Sequence, residues 1–487
     1  VIRSVSGLRH GSETVALQAR VGVVALTIAK HSPIFVILCL PPAIWAAIDG
    51  VWPLATALAV PMAVALVLYG LFRRRDLPDS LSKIEALVAV ALVFLLGTLF
   101  TVPAFLAIGM PPVDALFEAM SAITTTGHSV SQDPDSWPFA AHFLRGWLQW
   151  CGGLVMATAV LALLLPPGVP ARRLGRAGID QGDRIASTRN QARELLGVYL
   201  GLTAIMAAAT MTVLPGWREG LVITLSGIST AGFSPRSDSL ASYSALGKAV
   251  VMLGCILGAM SLLTFVLLLQ GKWRDAWALG SARRVLGTVA VLSVLQASFI
   301  LTTGQGPEQA FDGVLNVISA VTTTGFSAGE IPTIGPVAVL LMAAMVMGGD
   351  IGSTAGGLKL ARVGLLGRLV LYAVRTARLP DNAVAPLRMN RKPVKPVTVN
   401  ALVALLTIYI TATGLLWMQC LAHGLPASAA LFDVLSTLST VGLSTGVVSH
   451  DLPVDLKLSL TFAMWLGRLE FIAVLVLITP KTWMKRS

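Results

Sequence analysis

The hydrophobic pattern of this chain is written in the lengths of its apolar runs. A helix must bury about 20 apolar residues to cross the hydrocarbon core of a bilayer. Runs of that size fall near 31 to 48, 51 to 72, 84 to 108, 138 to 166, 195 to 214, 246 to 270, 286 to 303, 334 to 358, 399 to 421 and 459 to 479, which predicts roughly ten crossings. Four shorter apolar segments, near 114 to 126, 219 to 231, 309 to 324 and 428 to 441, lie between them and are too short to cross. Backbone that turns back at membrane depth is tolerated only inside protein or along a water-filled cavity, so four half-crossings point to one shared cavity. The run from 31 to 48 reads as a retained span. It lies far into the sequence and lacks the small-residue cleavage site of a signal peptide.

Composition agrees: 55% of the 487 residues are hydrophobic and 12% are charged, which leaves no large soluble domain and makes the bilayer the first partner. The net charge of +12 raises nucleic acid as a second, but its distribution answers differently. Basic residues crowd into alternate loops, at Arg73 to Arg75, at Arg172, Arg173 and Arg176, at Lys272, Arg274, Arg283 and Arg284, and from Lys359 to Lys395. Residues 109 to 139 and 304 to 335 contain no Lys or Arg. The positive-inside rule makes the basic loops cytoplasmic, and no nucleic-acid partner is expected. An even number of crossings puts both termini there too, in keeping with Arg3, Arg9, Arg20, Lys481, Lys485 and Arg486. Cys39, Cys151, Cys255 and Cys420 sit in apolar segments without CxxC spacing, so they imply packing rather than a disulfide or a metal site.

The end of each short segment repeats one pattern without gaps: SAITTTGHS at 121 to 129, SGISTAGFS at 226 to 234, SAVTTTGFS at 319 to 327 and STLSTVGLS at 436 to 444. One such string would read as a helix C-cap or a small-residue helix contact. Four in register on the same predicted side read as a repeat of span, half-helix, loop and span. A dehydrated alkali ion needs replacement oxygens, and rings of backbone carbonyls supply them. The candidate ion-lining residues are therefore Thr124, Thr125, Thr126 and Gly127; Ser229, Thr230, Ala231 and Gly232; Thr322, Thr323, Thr324 and Gly325; and Ser439, Thr440, Val441 and Gly442. The glycines permit positive φ and close backbone approach. Half-helices are expected to start near Asp114, Glu219 and Asp312, with Ala429 breaking the acidic pattern in the fourth copy.

These motifs resemble the Trk/Ktr/HKT superfamily of potassium transporters over nearly the whole length, and the two spans before residue 72 resemble its TrkH-like branch. The resemblance implies an all-α integral membrane fold of four covalently linked membrane-pore-membrane repeats in pseudo-fourfold arrangement, preceded by two extra transmembrane helices. The corresponding divisions are 1–75, 76–176, 177–275, 276–396 and 397–487. In the family the first filter glycine is linked to potassium selectivity, with Ser there in some sodium-permeable plant members, so Gly127 implies potassium. His128 departs from the pattern and is either a structural oddity at the pore mouth or a source of pH sensitivity.

Two further features stand out. GGDIGSTAGG, from Gly348 to Gly357, is too glycine-rich to hold a regular helix across the membrane centre. It lacks the GK[ST] of a phosphate-binding loop. The resemblance implies an intramembrane loop under the filter that blocks or opens the pore, with Gly348, Gly349, Asp350, Gly352, Ser353, Thr354, Gly356 and Gly357 as candidate gate residues. Arg468 lies within an otherwise apolar span, where a charge usually faces a cavity or a partner. In the family the matching arginine projects into the pore. Here it is expected either to raise a local electrostatic barrier to cations and anchor the loop, through Asp350 or Glu470, or else to snorkel or form a structural salt bridge with Glu470.

The function so implied is potassium uptake across the bacterial inner membrane through a gated filter. A sodium or poorly selective cation pathway on the same fold is the alternative, and a multi-pass membrane enzyme is a distant third, because no HExxH, His/Cys cluster or Ser/His/Asp arrangement is present. Potassium is then cargo, and no enzymatic cofactor is expected. The resemblance implies a homodimer seated on a cytosolic TrkA-type regulatory subunit. Any ATP, ADP or NAD response would belong to that partner.

Overall fold

The computed structural model describes residues 18–78, 81–164, 184–380, 386–389 and 392–484. Arg3, Arg9, Arg172, Arg173, Arg176, Arg391, Lys485 and Arg486 lie outside them. The apolar run expected from residue 31 begins earlier: α1 (Val21–Lys30) and α2 (Pro33–Ile48) are joined by a short turn at His31 and Ser32. Pro33 has no N–H to continue α1, and the Ser32 hydroxyl bonds back to Ala29 O (2.9 Å) and across to Ala65 O (2.7 Å) in α3 (Trp52–Phe72).

The remainder is four repeats. The first has α4 (Lys83–Ala107), α5 (Pro112–Ile123) and α6 (Phe139–Leu164). The second has α7 (Arg184–Val213), α8 (Trp217–Ile228) and α9 (Ala245–Ala259), followed by α10 (Leu262–Leu269) and α11 (Trp273–Leu279). The third has α12 (Ser281–Thr302), α13 (Pro307–Thr322) and α14 (Gly335–Met347), with α15 (Leu360–Thr376) beyond a loop. A two-residue ladder, β1 (Arg388–Met389) with β2 (Lys392–Pro393), leads into the fourth: α16 (Pro396–Ala422), α17 (Ala427–Leu438), α18 (Val454–Arg468) and α19 (Ile472–Ile478).

Starts and stops follow from local chemistry. A reciprocal capping box between Ser82 and Glu85 opens α4, and Arg20 grips the same carboxylate at 2.7 Å. The short helices α5, α8 and α17 have 12 residues, or about 18 Å of rise at 1.5 Å each, roughly half a hydrocarbon core. Each short helix packs on the long helix before it. The span that follows leans on the next repeat's short helix: α6 on α8, α9 on α13, α14 on α17 and α18 on α5. The last contact closes the ring.

Two spans expected to run straight are broken. The 246 to 270 run bends by 89° between α9 and α10, and the 459 to 479 run by 116° between α18 and α19. At the first break Ser261 N donates to Ser281 Oγ (2.9 Å) and Leu262 N to Gly352 O (3.0 Å), so these donors serve neighbouring segments instead of their own helix. At the second, Glu470 (φ 52°) and Phe471 (φ 65°) are left-handed, which no helix accommodates. The acidic starts also need one correction. Asp114 and Glu219 lie in the first turns of α5 and α8, but α13 begins at Pro307, with Glu308 in its first turn and Asp312 further in.

Candidate ion pathway

The four repeated strings converge on one axis. After each short helix the N–H groups turn back to its last carbonyls, as in Thr125 N to Ala122 O (3.1 Å) and Thr126 N to Ser121 O (2.9 Å). The Gly residues Gly127, Gly232, Gly325 and Gly442 have φ between 82° and 92°. A Cβ at Gly127 would collide with Ala231 O, at Gly232 with Thr324 O, at Gly325 with Val441 O, and at Gly442 with Thr126 O. Each copy thus abuts the carbonyl of the next, and the fourth returns to the first. No side chain fits in that ring.

The threonine two places before each Gly is left-handed as well: Thr125 (φ 54°), Thr230 (φ 53°), Thr323 (φ 54°) and Thr440 (φ 50°). For a β-branched residue this costs about 1–3 kcal/mol, and the surrounding hydrogen bonds over-determine it. Thr124, Thr126, Ser229, Ala231, Thr322, Thr324, Ser439 and Val441 complete the ring, all buried. Three carbonyls are already engaged, Ala231 O by Gln149 Nε2 (2.9 Å), Ser229 O by Thr230 Oγ1 (2.7 Å) and Ser439 O by Gly357 N (3.0 Å). His128 follows Gly127 with both ring nitrogens buried and without a hydrogen-bond partner, and Asp433 is the charged group acting on it.

Several supporting residues escaped the sequence reading although their register was visible. Nine residues before the ring Gly stand Glu118, Ile223, Asn316 and Asp433. Asp433 accepts from Ser444 Oγ (2.7 Å), Thr445 N (2.8 Å), Thr445 Oγ1 (2.9 Å) and Val448 N (2.9 Å). Asn316 Oδ1 accepts from Ala328 N (2.8 Å), and Glu118 accepts from Ser129 Oγ (3.0 Å) and Val130 N (3.3 Å). In three copies, then, the short helix clamps the strand leaving the ring. Arg145 pairs with Glu118 at 3.1 Å and lies over the Phe233 ring at 3.9 Å, joining the first copy to the second.

The acids nearer the helix starts close the seams between repeats. Lys457 of α18 reaches Asp114 (2.6 Å) and Lys248 of α9 reaches Asp312 (2.9 Å). Each lysine stands ten residues before a glycine, Gly467 or Gly258, that lies against the end of a short helix. The same count from Gly348 gives Ala338, whose partner position holds Ala429. Both members of that pair are alanine, so the break in the acidic pattern leaves no unmatched charge. Glu219 is instead taken within its own repeat, by Arg236 (3.2 Å) and Tyr243 Oη (2.5 Å).

Beneath the ring, α14 stops and residues 348 to 359 run without helix to α15. Thr354 Oγ1 donates among Ile228 O (3.1 Å) and Gly258 O (3.0 Å), and lies 3.2 Å from Thr230 Oγ1. Gly356 N donates to Thr323 Oγ1 (2.6 Å), and a Cβ at Gly356 would strike Ser439 O and Thr440 Oγ1. The loop therefore touches the second, third and fourth copies. In the first, Thr125 Oγ1 has no hydrogen-bond partner. Gly349 O receives Leu360 N (2.9 Å), Ser353 Oγ donates to Asp350 O (2.6 Å), and Gly348 (φ 65°), Gly352 (φ 77°) and Gly357 (φ 70°) make the turns.

Arg468 completes the cluster but differs from expectation. It is the last residue of α18, at the break rather than mid-helix. Its partners are carbonyls, Thr354 O (2.9 Å, from Nη1) and Gly152 O (3.3 Å, from Nη2). Asp350 pairs instead with Arg284 (2.7 Å) and Glu470 with Arg362 (2.6 Å). Those two carboxylates have nearer cations on α12 and α15, which frees the guanidinium to bridge the loop to α6.

The TrkH family, described as a cation transport protein, matches residues 83–276 and 261–485. The chain belongs to the TrkH family. A Trk system potassium uptake protein TrkH of Halomonas elongata is 30% identical over 455 residues, which cover 90% of this chain and 93% of that protein. The TrkH protein of Salmonella typhimurium is 30% identical over 441 residues, 84% of this chain and 88% of its own length. An uncharacterized cation transporter of Methanocaldococcus jannaschii is 28% identical over 411 residues, 83% of this chain and 84% of its own. The crystal structure of the potassium transporter TrkH from Vibrio parahaemolyticus superposes with a TM-score of 0.83 at 24% identity, covering 95% of this chain and 99% of that one. This likeness is one of fold: four linked membrane-pore-membrane repeats after an N-terminal helical pair are the TrkH architecture.

Proposed function

We propose that this chain carries potassium ions into the cell down their electrochemical gradient, through a filter formed by the four ring segments and a gate formed by residues 348 to 357 with Arg468. The observation that carries the reading is the closed ring, in which each Gly lies against the carbonyl of the next copy. The sixteen ring residues hold no charge, so an ion passing there would exchange water for carbonyl and hydroxyl oxygens. The unpartnered hydroxyls of Thr125 and Thr440 are two such oxygens. The short helices end at the ring, where their partial negative charge favours a cation. Potassium uptake proteins among the relatives support the choice of ion.

The loop contacts on Thr230, Thr323 and Ser439 support a gate that is closed in this reading, with the buried Arg468 guanidinium as a positive barrier beneath it. Family membership and the basic loops favour the bacterial inner membrane with both termini in the cytoplasm, a homodimer, and a TrkA-type subunit through which nucleotides act. His128 is a modulator in this reading: protonating its buried ring would place charge beside the filter, so flux falls as the medium is made acidic. His128→Ala is expected to flatten that profile.

The deciding measurement is rubidium uptake into proteoliposomes of the purified chain, with potassium, sodium and lithium as competitors. Competition by potassium alone, relaxed by Gly127→Ser, supports the filter. Equal competition by sodium would favour the unselective pathway. Flux that is unaffected by any ring substitution, with and without the regulatory partner, would overturn the pore.

A further inference from the structure

We infer that Glu470 is a positioning residue of the gate: through Arg362 it ties the exit of the loop to the break that carries Arg468, so that both move as one. The inference rests on the gate reading above and adds a mechanical link to it.

The loop is pinned at each end by an ion pair. Asp350, two residues after Gly348, receives Arg284 Nη2 (2.7 Å) and Nε (3.1 Å). Arg362, in the first turn of α15, donates from Nη2 to Glu470 Oε2 (2.6 Å). The two pairs differ in kind. The first is two-pronged and static in form, joining the loop entrance to the long helix α12. The second has one strong bond only, because Arg362 Nη1 and Glu470 Oε1 are both buried without a partner. That single contact joins the first turn of α15 to the break, and parting it would leave two largely buried charges unpaired.

What Glu470 is attached to gives the contact its consequence. Glu470 and Phe471 are consecutive left-handed residues, and Lys359, where the loop becomes α15, is left-handed too (φ 77°). Strained backbone persists only while its surroundings over-determine it. The restraints at the break include Glu470 N to Gly467 O (3.2 Å), Phe471 N to Leu466 O (2.8 Å), Ile472 N to Glu470 O (2.7 Å) and the Arg362 pair. Arg468 stands two residues before Glu470 and holds Thr354 O, inside the loop. A displacement of α15 therefore pulls the loop through Lys359 and pulls Arg468 through Glu470 in the same stroke. Both obstructions beneath the ring share one handle, and it is the helix leading into the basic segment from Lys359 to Lys395.

The test is a double-mutant cycle on basal rubidium flux, with the purified full chain in proteoliposomes and without any partner. Arg362→Ala and Glu470→Ala are each expected to raise flux about tenfold, and the double variant no further than either single, because they remove one contact. Glu470→Asp, which keeps the charge, is expected to stay within about threefold of the parent. Arg468→Ala serves as the reference for the gate itself, and monodispersity with an unchanged melting temperature for the double variant checks folding. If Arg468→Ala raises flux while both single variants leave it unchanged, the link is overturned and the gate stands. Multiplicative effects in the double variant also overturn the link, since the residues would then act independently. If Arg468→Ala and every other variant leave flux unchanged, the gate reading falls and the link with it.

Discussion

Above and below the ring the molecule follows two different rules. Above it, four copies repeat a left-handed Thr and Gly at fixed places, three of them carry a clamp nine residues before the Gly, and two carry an acid thirteen residues before it that pairs with a lysine of a neighbouring repeat. Below it the symmetry is gone. Among the described residues the loop comes from the third repeat and the arginine that holds it at Thr354 O from the fourth, while the hydroxyls of Thr125 and Thr440 have no hydrogen-bond partner. A site that must present equivalent oxygens around an axis needs equivalent surroundings, whereas an obstruction needs to be made only once. The symmetric half is built to hold still, and the asymmetric half contains the weak contacts.

That contrast can be broken at several depths. Gly442→Ala is expected to have the largest effect, because its Cβ would meet Thr126 O in a backbone at φ 92°. Rubidium flux should drop by two orders of magnitude or more, with the protein still inserted in the membrane. Lys457→Met comes next. It leaves Asp114 buried with only His450 nearby, and breaking a buried pair from one side costs about 3–5 kcal/mol. A fall in melting temperature in detergent is the readout, and an unchanged value would remove the seam pairs from the account of the ring's rigidity.

A smaller effect separates the two halves most directly. Thr323→Val deletes the acceptor for Gly356 N and leaves a buried donor unpaired, a loss of about 1–3 kcal/mol, so basal flux should rise several-fold. Thr125→Val removes a hydroxyl to which the loop makes no hydrogen bond and should leave basal flux unchanged while weakening potassium competition. Equal behaviour of the two variants would mean that the loop is not what distinguishes the copies.

The sequence by itself determined the membrane class, the repeat and the ring. Apolar run lengths marked where the spans lie because the hydrocarbon core sets them, although α1 begins at Val21 rather than 31, α7 at Arg184 rather than 195, and α14 ends at Met347 rather than 358; an ungapped string at Gly127, Gly232, Gly325 and Gly442 is visible wherever the same backbone problem is solved four times. Run length is blind to breaks, however. Nothing in the apolar stretch around Ser261 or Phe471 announces bends of 89° and 116°, because those bends are held by donors and acceptors on other segments. The left-handed threonines were equally hidden, since β-branched residues avoid that conformation unless neighbours impose it. Arg468 was recognised as a buried charge, but its partners were not, because sequence offers only carboxylates as candidates and the fold supplied carbonyls. Which charges meet is a matter of three-dimensional proximity, and only the tertiary structure decided that Arg284 and Arg362 reach Asp350 and Glu470 first.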